Sequence, residues 1–214
     1  MKNIKVGALL AALVLSLGLL AGCGASDTDK NSAGSDNQSS NEQQDTELLT
    51  GKHHVEIGVK DYGTISCELD ADIAPITVTN FVDLASKGFY DGLTFHRIIS
   101  GFMIQGGDPL GNGTGGSDTP IKGEFSANGV ENDLSHTRGV LSMARAQNPD
   151  SASSQFFIVH QDSTFLDGQY AAFGYVTEGM EIVDQICEKT AVLDDNGTVD
   201  PENQPVIEWI KVID

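Results

Sequence analysis

The segment 95–108 combines one cation, a carboxamide and several large apolar side chains. Side chains two positions apart in a β-strand share a face, so we expect Phe95 beside Arg97, and Met103 beside Gln105. Each pair joins an apolar surface to a hydrogen-bonding group. Such a site suits a substrate with an apolar ring next to a polar amide, because the ring needs a recess and the amide needs donors and acceptors.

A peptide group that precedes proline has this composition, and Gln155 with Phe157 offers a third pair of the same kind. Rotation about that bond meets a barrier of ~18–20 kcal/mol because the nitrogen lone pair is delocalised into the carbonyl. In the twisted transition state the lone pair localises on nitrogen and accepts a hydrogen bond that the planar amide cannot. A fixed cation beside the nitrogen therefore stabilises the transition state selectively. No nucleophile, metal or proton transfer is required.

Several blocks of the sequence resemble the cyclophilin family of peptidyl-prolyl cis-trans isomerases. The segment 95–108 resembles the family signature along its whole length, and the blocks 141–145, 151–158 and 165–174 follow it in the family's order and spacing. The resemblance runs from about residue 53 to the C-terminus. It implies a mainly β fold, an eight-stranded antiparallel closed barrel capped by two α-helices, and an enzyme without cofactor or metal.

The resemblance also implies the site. The matching positions comprise the catalytic Arg97, Gln105 and Phe102, and the substrate-binding Met103, Ala144, Arg145, Gln155, Phe157, Phe165, Leu166 and Tyr170. Arg97 would donate to the amide nitrogen, since a guanidinium stays protonated and offers several donors. Gln105 would bind the substrate backbone. Phe165, Tyr170 and Arg145 depart from the best-known eukaryotic members, which carry tryptophan, histidine and asparagine there, so substrate preference is expected to differ.

Hydrophobic periodicity predicts the elements that carry these residues. Period-two alternation over 54–59 and 64–69 predicts a hairpin, and helical spacing with a proline in the first turn predicts a helix over 75–86. Short strands are predicted at 93–99, 102–105, 139–144, 155–160, 172–176 and 206–213, with a second helix around 180–187. The pattern alone does not separate a barrel from a sandwich.

The N-terminus has the features of an export signal. Lys2 and Lys5 precede the apolar run 6–20, and the residues Leu20-Ala21-Gly22-Cys23 resemble a bacterial lipobox. We therefore expect a lipoprotein signal peptide over 1–22, a lipidated Cys23 followed by a polar tether over 23–50, and the isomerase domain over 51–214. The expected location is the outer face of a bacterial cell membrane. An uncleaved anchor or an ordinary secretory signal is the alternative, and either still exports the domain.

Charge and cysteine content limit the partners. The formal net charge of −19 repels phosphate backbones, so nucleic acid is not expected as a partner. Cys67 and Cys187 are expected to be free thiols, because one lies in a strand pattern and the other in a helix pattern. The histidines show no metal spacing, and 194–197 is interpreted as an acidic turn. A monomer is the simplest expectation.

Three functions fit these features to different degrees. The first is an isomerase that acts on X-Pro bonds of exported proteins and assists their folding. The second is a module that binds proline-containing segments as a chaperone or scaffold with little turnover, against which the intact Arg97 argues. The third, a lipoprotein receptor for small solutes, would need two α/β lobes, and the strand pattern does not provide them.

Overall fold

A computed structural model describes residues 47–214. The expected signal peptide, Cys23 and nearly all of the tether lie outside the described residues. The elements are β1 (Lys52–Val59), β2 (Gly63–Asp70), α1 (Pro75–Ser86), β3 (Phe95–Ile99), β4 (Met103–Gly106), β5 (Val140–Met143), β6 (Phe156–Val159), β7 (Ala172–Glu178), α2 (Met180–Lys189) and β8 (Ile207–Val212). Within residues 47–214, neither helix is long and apolar enough to cross a membrane.

The eight strands form one antiparallel sheet in the order β3-β4-β6-β5-β7-β2-β1-β8. The sheet curls so that its two end strands approach each other, and a single bridge, Thr94 to Val206, links them. The predicted eight antiparallel strands and two helices are confirmed. The structure is a curled half-barrel, however, and the predicted closure is not confirmed.

The outer edge of β3 explains the incomplete closure. A loop before β8 occupies that edge: Arg97 forms a bridge with Thr198, the Ile98 amide donates to the Gly197 carbonyl at 2.8 Å, and the Val199 amide donates to the His96 carbonyl at 3.0 Å. A strand edge offers one row of donors and acceptors. Because this loop uses the row, β8 continues its ladder with β1 alone.

Aromatic side chains fill the interior of the half-barrel. Phe81 of α1 packs against Phe156 of β6, with ring centroids 5.3 Å apart, and against Tyr90 at 5.0 Å and Phe173 at 5.2 Å. All four side chains are fully buried. Alternation along β6 sends Phe156 into this core and leaves its neighbour Phe157 for the opposite face of the sheet.

The buried Glu124 fixes the start of α1. Its carboxylate accepts hydrogen bonds from the Ile76 amide at 3.0 Å, the Thr77 amide at 2.8 Å and the Thr77 hydroxyl at 2.7 Å. The first turn of a helix has free amide donors and a partial positive charge, both of which favour a carboxylate there. Pro75 lacks the amide and so leaves no donor unsatisfied at the first position.

Candidate active site

Strand register brings the key polar and apolar side chains together. Arg97 of β3 lies opposite Gln105 of β4, and Gln105 lies opposite Phe157 of β6. Directly opposed residues in antiparallel strands have Cβ atoms about 4.5–5.5 Å apart, so the three side chains form one row across three strands. This row explains how residues far apart in sequence meet at one surface.

The expected pairing of Phe95 with Arg97 is wrong. The ladder between β3 and β4 shifts register between these two residues. Such a bulge places an extra residue in one strand and turns the following side chains to the other face. Phe95 therefore packs in the interior against Phe156, with centroids 6.1 Å apart, while Arg97 reaches the row with Gln105.

A pocket of about 330 Å³, which we call the central pocket, opens at this row. Its lining residues are Arg97, Phe102, Met103, Gln105, Ala144, Arg145, Phe157, Phe165, Leu166 and Tyr170. All of them are among the site residues expected from the sequence. The remaining expected residue, Gln155, accepts a hydrogen bond from Gln105 instead, and it lines a neighbouring groove of about 220 Å³ with Ala144 and Arg145.

Arg97 is held by three groups at the rim of the central pocket. Its Nε donates to the Asn196 carbonyl at 2.8 Å, Nη1 donates to Gln105 Oε1 at 3.2 Å, and Nη2 donates to Asn196 Oδ1 at 3.4 Å. Partial burial lowers the pKa of the guanidinium, and Tyr170 and Asp194 act in the opposite direction. Arginine remains protonated at neutral pH even so. The result is a fixed cation beside an apolar recess.

A chain of carboxamides orients Gln105. Its Nε2 donates to Gln155 Oε1 at 2.9 Å, and Gln155 Nε2 donates to the Gly115 carbonyl at 2.7 Å. The direction of each amide follows from this network, since the carbonyl of Gly115 can only accept. Gln105 therefore presents its oxygen to Arg97. The carbonyl of Gly115 thus orients Gln155, and Gln155 in turn orients Gln105 beside Arg97.

The loop that holds Arg97 was not recognised as part of the site in the sequence. Residues 194–197 do form an acidic turn: the Asp194 carboxylate accepts from the Thr198 amide at 3.1 Å and from its hydroxyl at 2.9 Å. Its function in the site depends on the backbone carbonyl of Asn196, 99 residues from Arg97. Only the Asn196-Gly197 pair signals a tight turn there, and Gly197 has a φ of 80°.

Aromatic rings form the walls of the central pocket. Phe102 and Phe165 lie with centroids 5.5 Å apart, and Phe157 meets Tyr170 edge to face at 6.1 Å. Phe165 is 66% exposed and forms a lip. Arg145 lies over the Tyr170 ring at 4.7 Å, and its guanidinium donates to the carbonyls of residues 146 and 169. Arg145 therefore packs as part of the pocket wall, and its guanidinium is already bound to these carbonyls and to the Tyr170 ring.

His136 supports the base of the pocket and was not identified from the sequence. Its ring stacks on Phe157 with centroids 6.1 Å apart and an interplanar angle of 18°. One ring nitrogen lies 2.8 Å from Asp167 Oδ1, and the other lies 2.9 Å from Ser142 Oγ. Because Asp167 follows Leu166 directly, this network ties the pocket wall to the sheet. The residues involved are up to 31 positions apart, so sequence spacing gives no signal of it.

The two buried histidines predict a pH-dependent stability. Burial lowers the pKa of His96 and of His136 from the ordinary value of 6.5, although Asp108 and Asp167 respectively oppose the shift and Arg97 adds to it for His96. The unfolded chain then binds more protons than the folded chain below about pH 6.5. The contribution of these histidines to the free energy of unfolding is therefore complete above about pH 6.5, and it decreases as the pH falls below that value.

Urea unfolding at pH 7.5, 6.5 and 5.5 measures this effect. We expect little change between the first two values and a loss of up to about 1 kcal/mol per histidine between the last two. Equal stability at pH 6.5 and 5.5 contradicts it. A further loss below about pH 5 is expected from Asp108 and Asp167, whose pKa values are lowered by backbone and side-chain donors that outweigh the effect of burial.

The cysteines and acidic groups add no other chemistry here. Cys67 is buried, Cys187 is half-buried, and both are free thiols. Burial raises the pKa of both thiols, that of Cys187 to about 11, so neither supplies a thiolate at neutral pH. Residues 47–214 contain no group of three or more histidine, cysteine or acidic side chains that could hold a metal ion.

The half-barrel thus presents a fixed cation and an oriented carboxamide beside an apolar pocket. The chain belongs to the family of cyclophilin-type peptidyl-prolyl cis-trans isomerases and is an enzyme of that kind, since the family's sequence model matches residues 54–212.

Relatives from distant organisms support this assignment. The chain is 51% identical over 122 residues to peptidyl-prolyl cis-trans isomerase-like 1 of Rhizopus delemar, covering 56% of this chain and 72% of the relative. It is 50% identical over 123 residues to peptidyl-prolyl cis-trans isomerase B of Bacillus subtilis, covering 58% and 82%. A crystal structure of a Cryptosporidium parvum cyclophilin in the presence of the dipeptide Ala-Pro aligns with a TM-score of 0.66 and 32% identity, covering 75% of this chain and 99% of that one.

Proposed function

We propose that this isomerase acts on X-Pro bonds of exported polypeptides and assists their folding at the outer face of a bacterial cell membrane. The observation that carries the catalytic part is the fixed Arg97 guanidinium at the rim of the apolar central pocket. The lipobox-like residues before Cys23 support the location. The protein would work as a monomer attached to lipid through Cys23.

The geometry suggests a role for each group of residues in substrate binding and catalysis. The proline ring would enter the central pocket against Phe157, Met103 and Leu166, which excludes water from one side of the amide. Gln105 would hold the substrate backbone. The bond then rotates without any covalent change, so catalysis depends on stabilising the twisted amide more than the planar one.

Arg97 has donors left for this purpose. Its contacts with Asn196 and Gln105 use three of the five N–H groups of a guanidinium. The remaining two belong to the terminal nitrogens: the one on Nη1 faces the Met103 sulfur at 4.0 Å, and the one on Nη2 is left for the substrate. Because Arg97 is already fixed, a hydrogen bond to the pyramidal nitrogen costs no reorganisation when the amide twists.

Lipidation at Cys23 is a separate prediction. When cells that express the full chain are fed labelled palmitate, we expect the parent to carry the label and to fractionate with membranes. Cys23→Ser is expected to lose both properties. Cys187→Ser is the matched control and is expected to keep both, because that half-buried thiol lies in the folded domain. Equal labelling of the parent and Cys23→Ser contradicts the proposed anchor.

The folding role has its own test. An exported protein whose refolding is limited by proline isomerisation shows a slow phase of tens to hundreds of seconds. We expect the full chain to shorten that phase at substoichiometric concentration, and we expect Arg97→Ala to leave it nearly unchanged. If both proteins instead slow refolding in proportion to their concentration, the proline-binding chaperone replaces the enzyme as the explanation.

A further inference from the structure

A third cavity, of about 350 Å³, adjoins the central pocket and shares Arg97 and Gln105 with it. Three segments enclose it: His96 of β3, the turn at 111–113, and the loop from Leu193 to Pro201. We call this cavity the loop recess. All the expected site residues line the central pocket or the neighbouring groove. The loop recess differs from both because residues of the segment 193–201 form part of its wall.

The wall of the loop recess carries apolar side chains. Leu193, Val199 and Pro201 line it, and Leu193 is 64% exposed. Leu193 is nonetheless in an ordered position, because its amide donates to the Thr198 carbonyl at 2.7 Å and the Asp194 carboxylate binds Thr198 across the same turn. A large apolar side chain held in this exposed position is available to bury area against a ligand.

Polar and charged groups of both signs also surround the loop recess. His96 lies at its base, 4% exposed, and neither ring nitrogen has a hydrogen-bond partner among residues 47–214. Burial keeps this imidazole neutral at neutral pH by lowering its pKa. Asp194 and Asp195 lie on the adjoining turn and are exposed. The Arg97 guanidinium also lines the loop recess but already donates to Asn196 and Gln105, so the surface left for a ligand is the apolar wall with Leu193.

Continuity with the central pocket identifies the occupant. Arg97 lines both cavities, and Asn196, which lines the loop recess, accepts from Arg97 Nε at 2.8 Å. An extended peptide advances about 3.3 Å per residue, so a peptide bound in the central pocket carries its neighbouring residues towards a recess that shares Arg97 and Gln105 with that pocket. The polypeptide substrate itself is therefore the ligand that can occupy both cavities.

We infer that the loop recess is a specificity subsite that binds a large aliphatic side chain of a substrate residue flanking the X-Pro pair, with Leu193 as its main contact. This inference rests on the proposed function. It adds a preference for leucine over glycine at one flanking position.

A set of short peptides tests the inference. Each has one X-Pro pair, a single leucine at one of the two positions before or the two positions after that pair, and glycine at the other flanking positions. With the full chain, we expect one position to raise kcat/KM about fivefold over the all-glycine peptide. Aspartate at that position is expected to give no gain, because a carboxylate buries little apolar area against Leu193. In Leu193→Ser the leucine-to-glycine ratio is expected to fall to about one.

Val192→Ser is the matched control. Val192 is also apolar and exposed, at 45%, but it lines a different surface with Ile98 and Cys187. We expect this variant to keep the fivefold ratio. A parent with no positional preference, or a ratio that survives in Leu193→Ser or is lost equally in Val192→Ser, overturns the inference.

A failure of the proposed function would look different. If the folded parent accelerates exchange in none of the peptides, the proposed function fails. The leucine-to-glycine ratio is then measured from the dissociation constants of the peptides instead of from kcat/KM. A leucine preference in binding that Leu193→Ser removes still supports the loop recess, and its absence overturns it.

Discussion

Replacing Arg97 by alanine is expected to lower kcat/KM for an X-Pro test peptide by more than about tenfold, a loss of over ~1.4 kcal/mol of transition-state stabilisation. The guanidinium is the cation that the structure fixes at the rim of the central pocket by way of Asn196 and Gln105. Alanine leaves the apolar walls in place, so the loss should appear mainly in kcat. Exchange kinetics with and without enzyme measure it directly.

Arg145 provides the control for this prediction. Both arginines line the central pocket, but the donors of Arg145 bind backbone carbonyls and its charge lies over the Tyr170 ring. Arg145→Ala is therefore expected to cost clearly less activity than Arg97→Ala. Arg97→Lys is expected to fall between the parent and Arg97→Ala, because lysine keeps the charge but lacks the planar fork that Asn196 and Gln105 hold. If Arg145→Ala costs as much as Arg97→Ala, the assignment of Arg97 is wrong.

Phe156→Ala is expected to cost about 3–5 kcal/mol of stability, the largest stability effect among these predictions. The ring contacts Phe81 at 5.3 Å, Tyr90 at 5.7 Å and Phe95 at 6.1 Å, and its side chain is fully buried. Removing it leaves a cavity among large, fully buried rings from α1, the segment after α1 and β3. Urea unfolding at neutral pH measures the loss.

A comparison with the neighbouring Phe157 distinguishes an effect on stability from an effect on activity. Phe157 points to the other face of β6 and lines the central pocket, where solvent can enter the space left by a smaller side chain. Phe157→Ala is therefore expected to cost less stability than Phe156→Ala but at least about tenfold in kcat/KM. Conversely, Phe156→Ala should retain near-parent activity at temperatures where it remains folded. The reverse pattern would show that the two faces of β6 have been assigned wrongly.

Local signals in the sequence predicted the elements well. Pro75 in the first turn and helical spacing gave a helix over 75–86, and the structure has α1 at Pro75–Ser86. Alternation predicted both hairpin strands, and Val59 pairs with Gly63 at their turn. These features depend on neighbours a few residues apart, so pattern reasoning detects them.

Features that depend on a one-residue shift or on distant contacts were not predictable in this way. The bulge between Phe95 and Arg97 reverses the face of Phe95, and a period-two pattern contains no sign of it. The loop at 194–199 takes the edge of β3, and the closure that the family resemblance implied is not confirmed. Tertiary position decides both features.

The candidate site shows the same division. The family resemblance named all the residues that line the central pocket, because those side chains lie in ordered sequence blocks. It did not name Asn196 or His136, which act on Arg97 and Phe157 from distant segments. Residues that position others are found through contacts, and those contacts join segments that the sequence keeps apart.

The most direct test of the account is the rate of cis-trans exchange in a short X-Pro peptide mixed with the full parent chain. Spontaneous exchange takes tens to hundreds of seconds at 25 °C. We expect catalytic amounts of the folded protein to shorten it in proportion to enzyme concentration. Exchange that stays at the spontaneous rate, with a protein shown to be folded and across peptides with different residues before proline, contradicts the account.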